Sequence, residues 1–178
     1  QDTIYVLVAS RVVRVATNGT IEWETDLELG ASDRARAVAA APLGGVVVAG
    51  ETYEDLHGSS HVGSSGVADA FLLRLDAGGV LAWTRVFGSP GVDQVTAVAV
   101  DQDGDAFAVG SFGGTQVTAI FSAGGSSAAS VGGLDAFVVK YSTLGDALWA
   151  RAIGTSSDDT GADIATDEMG NSYIAGRT

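Results

Sequence analysis

The sequence predicts an all-β fold in which four-stranded antiparallel sheets recur along the chain. Its apolar segments are short and rich in Val, Ala, Leu and Phe, and turn residues separate them, with 25 glycines in 178 residues. A pattern of about 42 positions also returns three times without a gap. Short apolar runs between turns are typical of strands, and a fixed period is typical of repeat architectures.

All three copies of the pattern fit one register. Trp23, Trp83 and Trp149 step by 60 and then by 66 residues, and so do the glycines at 50, 110 and 176. The same register aligns Arg14 with Arg74 and Lys140, Asp33 with Asp93 and Asp159, and Gly44 with Gly104 and Gly170. Residues shared by all copies are expected to build the repeating unit itself.

Each copy contains four predicted strands, which in the third copy are 136–141, 147–153, 162–166 and 172–176. Both faces of the first of these strands are apolar, so each sheet is expected to be covered on both sides. The predicted organisation is a strand at 1–9, sheets at 10–52, 69–112 and 135–178, and Ser/Gly-rich loops at 53–68 and 113–134, with a further short strand possible at 116–121.

Composition narrows the range of partners. The net charge is -13, from 22 acidic and 9 basic residues, and nucleic acids or anionic membranes require clustered Lys and Arg. The apolar runs are far shorter than the roughly 20 residues that span a bilayer. No nucleic acid and no membrane insertion are therefore expected. The absence of cysteine excludes disulfides and a cysteine nucleophile.

One segment has the spacing of a calcium loop. Asp101, Asp103 and Asp105 bring three carboxylates into five residues, and a hard cation prefers such oxygen ligands. The other copies keep only the glycine of this segment, which favours a hairpin turn with Gly104 in the left-handed conformation. Calcium remains the alternative, and no other cofactor is expected.

The recurring aspartates and the two histidines are expected to be structural or solvated residues. Asp33, Asp93 and Asp159 recur in every copy, whereas a catalyst needs its groups once. We expect these carboxylates to accept backbone N–H bonds in a loop or to pair with a base of the next sheet. His57 and His61 are expected to be solvated loop residues.

The sequence contains no familiar catalytic motif and one possible glycosylation motif. The chain has no GxSxG, HExxH or phosphate-binding glycine loop. Asn18 begins an N-x-T sequon at a predicted exposed turn, and Asn-Gly is also an ordinary hairpin turn, so glycosylation of Asn18 is one of two interpretations.

Residues 135–178, DAFVVKYSTLGDALWARAIGTSSDDTGADIATDEMGNSYIAGRT, resemble the SBBP repeat, a β-propeller repeat of secreted and surface proteins. Residues 69–112 follow its pattern well, and residues 10–52 keep only its skeleton. The resemblance implies a β-propeller of four-stranded blades. Since propellers have about 4 to 8 blades, three copies imply a piece of a larger ring or a ring closed by two chains. The strand at 1–9 would then complete a neighbouring or last blade.

A weaker likeness to quinoprotein-type blades implies that Trp23, Trp83 and Trp149 dock between blades. We therefore expect a non-enzymatic extracellular or cell-surface structural or interaction module. Its partners would be other blades or subunits of one assembly, a glycan or an extracellular protein, contacted by the variable loops. The alternatives are a hydrolase or lyase whose active site lies in blades not present, and a calcium-dependent adhesion module.

Overall fold

A computed structural model describes residues 3–42, 44–62, 66–113 and 132–178. Within these ranges the chain forms thirteen strands and no helix. The strands are β1 (Thr3–Val8), β2 (Arg11–Ala16), β3 (Ile21–Asp26), β4 (Arg34–Ala40), β5 (Val46–Thr52), β6 (Asp69–Leu75), β7 (Leu81–Phe87), β8 (Asp93–Val100), β9 (Ala106–Gly113), β10 (Leu134–Tyr141), β11 (Ala147–Ile153), β12 (Thr160–Thr166) and β13 (Ser172–Arg177). The described residues contain no helix long and apolar enough to cross a membrane. The possible strand at 116–121 lies outside the described residues.

The strands form four antiparallel sheets in chain order: β1-β2-β3, β4-β5-β6-β7, β8-β9-β10-β11 and β12-β13. Innermost strands of successive sheets are neighbours, because β8 packs against both β4 and β12. The second and third sheets each have four antiparallel strands. Four-stranded antiparallel sheets that pack face to face, with their first strands innermost, are propeller blades. The predicted all-β propeller fold is confirmed.

The sheets are offset from the sequence copies by two strands. The second sheet takes β4 and β5 from the first copy and β6 and β7 from the second, since β5 and β6 pair from Val46↔Leu75 to Thr52↔Asp69. The prediction that 10–52, 69–112 and 135–178 each form one sheet is thus corrected. A period determines the length of a unit but not where its sheet begins.

The first strand is corrected for the same reason. β1 pairs with β2 from Thr3↔Ala16 to Val8↔Arg11. The strand predicted at 1–9 therefore belongs to the first sheet and forms a tight hairpin with it. It does not complete the last sheet of this chain, where β12 pairs with β13.

Sheets are covered on both faces, as the apolar pattern predicts. In β6, Ala70 and Leu72 enter one core cluster, and Phe71 and Leu73 enter the next. All four are fully buried. Burial of one large apolar side chain stabilises the fold by about 1.5–3 kcal/mol. Each inner strand thus stabilises contacts with both neighbouring sheets.

Each innermost strand carries a β-bulge at an equivalent position. Pairing shifts between Ala35 and Ala37 in β4, and the same shift leaves Thr96 unpaired in β8. In β12 it falls between Gly161 and Asp163. A bulge bends its strand and redirects the extra side chain. Thr96 Oγ1 uses that freedom to donate to the carbonyl oxygen of Gly161 in the next sheet, at 2.6 Å.

Two ends of the sheets can now be distinguished. The turn end carries the tight hairpins, in which Gly44, Gly104 and Gly170 have positive φ values of 89°, 83° and 79°. These values confirm the turn predicted at the Gly104 position. The loop end carries the segment 53–62, residues 66–68 and the links between sheets.

The segment 53–62 protects a strand edge. Leu56 is buried and forms an isolated bridge with Ser59. The N–H of Val86, in the outermost strand β7, donates to Ser59 Oγ at 2.8 Å. Unpaired edge strands favour aggregation unless something covers them. This predicted recognition loop is therefore partly structural.

Candidate functional site

The recurring aspartates bind the backbone of the links between sheets. Asp93 accepts the N–H of Ser89 at 2.7 Å, and Asp159 accepts the N–H of Thr155 at 2.7 Å. Asp33 accepts two N–H groups, those of Gly30 at 2.9 Å and Tyr53 at 3.0 Å. The hydrogen bond from the Thr155 N–H lowers the pKa of Asp159 below its usual value. Of the two predicted architectural roles, the structure confirms backbone N–H binding.

Two of the tryptophans lie against the next sheet. Trp23 Nε1 donates to the carbonyl oxygen of Ala77 at 3.0 Å, and Trp83 Nε1 donates to that of Thr143 at 2.9 Å. Both acceptors lie in a tight turn at the turn end. Trp149, in the outermost strand β11, instead meets Phe107 of its own sheet edge-on, with ring centroids 5.9 Å apart.

The predicted calcium turn already holds a cation of the chain itself. Lys140 Nζ lies 3.1 Å from Asp101 Oδ2 and 3.0 Å from Asp105 Oδ2. Asp103 is exposed. In the described residues no group of three His, Asp or Glu side chains is arranged to hold a metal ion. A calcium ion bound by Asp101 and Asp105 would have to compete with the Lys140 ammonium.

The two histidines differ. His57 is exposed, and its Nδ1 lies 2.9 Å from Thr84 Oγ1. The prediction that His61 is solvated is wrong, because its side chain is only 10% exposed. Its Nε2 lies 3.3 Å from Asp69 Oδ2 and 2.7 Å from the carbonyl oxygen of Val67. Asn18 lies in an exposed turn, where its Oδ1 accepts the N–H of Thr20 at 3.0 Å.

At the loop end, a groove of about 540 Å³ opens between the first and second sheets. Its walls include the two-residue turn Ala9–Ser10, the link 29–31, and the side chains of Arg34 and Arg36. The turn Ala9–Ser10 joins β1 to β2 in two residues, whereas a longer segment joins β5 to β6. We call this opening the Arg34 groove.

A buried carboxylate orients the arginines of the Arg34 groove. Arg36 donates twice to Glu51, from Nε at 3.1 Å and from Nη2 at 2.7 Å. Arg34 Nε is 3.9 Å from the same carboxylate, and its side chain is 69% exposed, against 2% for Glu51. The bulge at Arg36 places both arginines close to one acid. A bidentate pair of this kind holds a guanidinium in one direction.

Spare donors remain after these pairings. Among the described residues, the Arg34 side chain makes no hydrogen bond, and Arg36 Nη1 has no partner. Asp33 also lines the groove, but both of its oxygens accept backbone N–H groups. The groove therefore presents one guanidinium paired with Glu51 and one exposed guanidinium, beside apolar walls from Leu29 and Ala35.

These residues are not part of the repeat, so the repeating pattern does not point to them. The positions of Arg34 and Arg36 are occupied by Gln94 and Thr96 in the second copy, and by threonine and alanine in the third. The useful signal would have been departure from the repeat, since shared residues build the blade. Glu51 likewise corresponds to Ser111.

A family model described as "SBBP: Beta-propeller repeat" matches residues 148–178. These residues cover nearly all of β11 and all of β12 and β13. The resemblance stated from the sequence is thus confirmed for that segment, and it concerns the repeat rather than the Arg34 groove. A search of the curated proteins gave no match to this chain.

Two solved structures are similar to this chain. A protein of unknown function from Bacteroides caccae is 12% identical, with a TM-score of 0.55, and the match covers 96% of this chain and 48% of that one. A gluconolactonase from Xanthomonas campestris is 17% identical, with a TM-score of 0.45, over 96% of this chain and 42% of that one. The chain spans about half the length of the proteins that it matches. At 12% identity, the likeness to the Bacteroides caccae protein shows the fold alone.

Proposed function

We propose that this chain is a non-enzymatic interaction module, a β-propeller segment of an extracellular or cell-surface protein. Its binding surface is the loop end, and the Arg34 groove binds a carboxylate-bearing glycan. The observation that carries the proposal is the pair of non-repeated arginines held by the buried Glu51. Groups that build the blade recur in every copy, whereas this pair occurs once.

The chemistry of the groove favours a carboxylate. A guanidinium offers parallel N–H donors that match the two oxygens of a carboxylate. Arg34 has these donors free among the described residues, and Arg36 is fixed beside it. The volume of about 540 Å³ also lies within the usual range of about 300–1,000 Å³ for small-molecule sites.

The buried acids support binding over catalysis. Burial raises the pKa of Asp93 to about 7, and such a group could act as a general acid. However, Asp93 and its neighbour Asp69 are 1% and 0% exposed. A general acid must come within hydrogen-bond reach of the substrate. These two carboxyl groups face protein instead.

The test is calorimetric titration of the chain with trigalacturonate, a glycan with three carboxylates. Arg34→Gln removes the charge but keeps a long polar side chain, and should weaken binding at least 10-fold, since a charged hydrogen bond contributes about 1.5–3 kcal/mol. Arg151→Gln is the matched control, because Arg151 is exposed on the outermost strand β11, away from the groove. Its affinity should equal that of the wild type.

Neutral maltotriose and inorganic phosphate are the comparison ligands. Both should bind at least 10-fold more weakly than trigalacturonate. Equal affinity for maltotriose would contradict a carboxylate site, and equal affinity for phosphate would indicate a general anion site. Loss of binding in both Arg34→Gln and Arg151→Gln would show that the effect is not specific to the groove, and would contradict the proposal.

A further inference from the structure

Two carboxyl groups are buried together at the loop end, between the second and third sheets. Asp69 begins β6, and Asp93 begins β8. Asp69 Oδ1 and Asp93 Oδ2 each lie 2.6 Å from the position that a Cβ on Gly88 would take. Because Gly88 has no side chain, the two acids can approach each other over its backbone.

Hydrogen bonds to these acids are unevenly distributed. Asp93 Oδ2 accepts the Ser89 N–H at 2.7 Å, and Ser89 Oγ lies 3.0 Å from Asp93 Oδ1. Asp69 Oδ2 accepts the N–H of Val62 and lies 3.3 Å from His61 Nε2. Asp69 Oδ1 is buried and has no hydrogen-bond partner among the described residues. A buried, ionised oxygen without a donor is costly.

We infer that Asp69 and Asp93 together retain one proton at neutral pH, and that losing it loosens the segment 53–62 from β6. Two carboxylates in one dry site cannot both ionise without strong repulsion. A single bound proton removes that repulsion and halves the buried charge. The inference goes beyond the proposed glycan site, because it concerns a different cluster.

The environment of the pair supports this. Burial raises the pKa of Asp93 to about 7, and the charge of Asp69 raises it further, against the Ser89 hydrogen bonds. Burial likewise raises the pKa of Asp69 to about 6, against the Val62 N–H and His61. From the loop, His61 faces the pair, with Nε2 3.3 Å from Asp69 Oδ2.

The remaining neighbours of the pair are uncharged or contact it only through another residue. Asp55 reaches the cluster only by accepting the backbone N–H of His61 at 2.7 Å. From β9, the carbonyl oxygen of Gly113 accepts the Ser89 hydroxyl at 2.7 Å. The described residues thus place no Lys or Arg beside these carboxyl groups that could replace the proton.

The pair also holds the loop. Val62 is anchored on Asp69, and the carbonyl oxygen of Ala68 accepts the N–H of Asp93 at 2.8 Å. Repulsion between two ionised acids would strain both anchors. Because both folded-state pKa values lie above those of the unfolded chain, the protonated pair stabilises the fold at low pH. The free energy of unfolding therefore falls as pH rises from about 5 to 8.

The test compares thermal unfolding of the wild type and Asp93→Asn between pH 5 and 8. The amide removes one charge, while its oxygen can still accept the Ser89 N–H. We expect the variant to have a higher Tm at pH 8 and no more than half of the wild-type pH slope. Asp159→Asn is the matched control in the next sheet, where the pKa is lowered, and it should keep the wild-type slope.

Hydrogen exchange of the Val62 amide, corrected for intrinsic rate, reports on the loop. Its protection should fall at least 5-fold between pH 6 and 8 in the wild type and stay constant in Asp93→Asn. Full pH dependence in that variant would overturn the inference. If the variant does not fold, carboxyl carbon NMR of the wild type decides: a midpoint between about 6 and 7 supports the pair, and midpoints below 5 for both acids contradict it.

Discussion

The indole Nε1 of Trp83 donates a hydrogen bond of 2.9 Å to the carbonyl oxygen of Thr143 in the following sheet. Trp23 repeats this contact one sheet earlier, with Ala77 at 3.0 Å. Each tryptophan therefore fixes the outer strand of its sheet to a tight turn of the next one. This relationship makes the repeat a packing unit.

Replacing Trp83 by phenylalanine should destabilise the fold by about 2 kcal/mol, because the Thr143 carbonyl loses its donor and buried area is lost. Trp149→Phe is the control, since the Trp149 indole donates no hydrogen bond among the described residues. Urea unfolding at pH 7 measures both. Equal losses in the two variants would show that the hydrogen bond to the next sheet contributes nothing.

Gly145 packs directly beneath Trp83. A Cβ at Gly145 would lie 2.9 Å from Trp83 Cδ2, and its φ of +82° disfavours any side chain. At the equivalent Gly19, with φ +85°, nothing lies within 4 Å of such a Cβ. Gly145→Ala should therefore lower the Tm more than Gly19→Ala, which carries the backbone strain alone. The difference in Tm isolates the steric contact, and no difference would contradict it.

Lys140 compensates two carboxylates at the turn end. Asp101 is 2% exposed and Asp105 is 17% exposed, so Lys140→Met should cost about 2–4 kcal/mol at pH 7, because it leaves partly buried charges unpaired. Urea unfolding at pH 7 measures this.

Calcium provides the second readout for Lys140. The wild type should show no change in Tm on adding calcium, because the ammonium already lies between Asp101 and Asp105. Lys140→Met should gain stability from calcium, since the site is then free. A rise in the wild-type Tm would instead support the calcium-dependent adhesion alternative.

The repeat predicts the strands and turns of this protein, but not which strands pair to form one sheet. The repeat period, the turn glycines and the strands with two apolar faces can all be recognised from local sequence. The four strands of the third copy and the left-handed conformation of Gly104 were therefore predictable. The phase of the sheets was not, because it depends on β5 pairing with β6 across residues 53–68. Long-range pairing of that kind leaves no local pattern.

Residues of the candidate site were harder to predict. Arg34 and Glu51 are 17 positions apart, and only the pairing of β4 with β5 brings them together, as the register Arg34↔Glu51 shows. Likewise, His61 lies in a Ser/Gly-rich segment that suggests exposure, yet the fold buries it against Asp69. In both cases a tertiary contact determines the environment of a side chain.

The most direct test of the proposed binding function is the affinity of Arg34→Gln for trigalacturonate, measured beside Arg151→Gln. We expect wild-type affinity in the Arg151 variant and at least a 10-fold loss of affinity in the Arg34 variant. Unchanged affinity in Arg34→Gln, or no binding of trigalacturonate by the wild type, would contradict it.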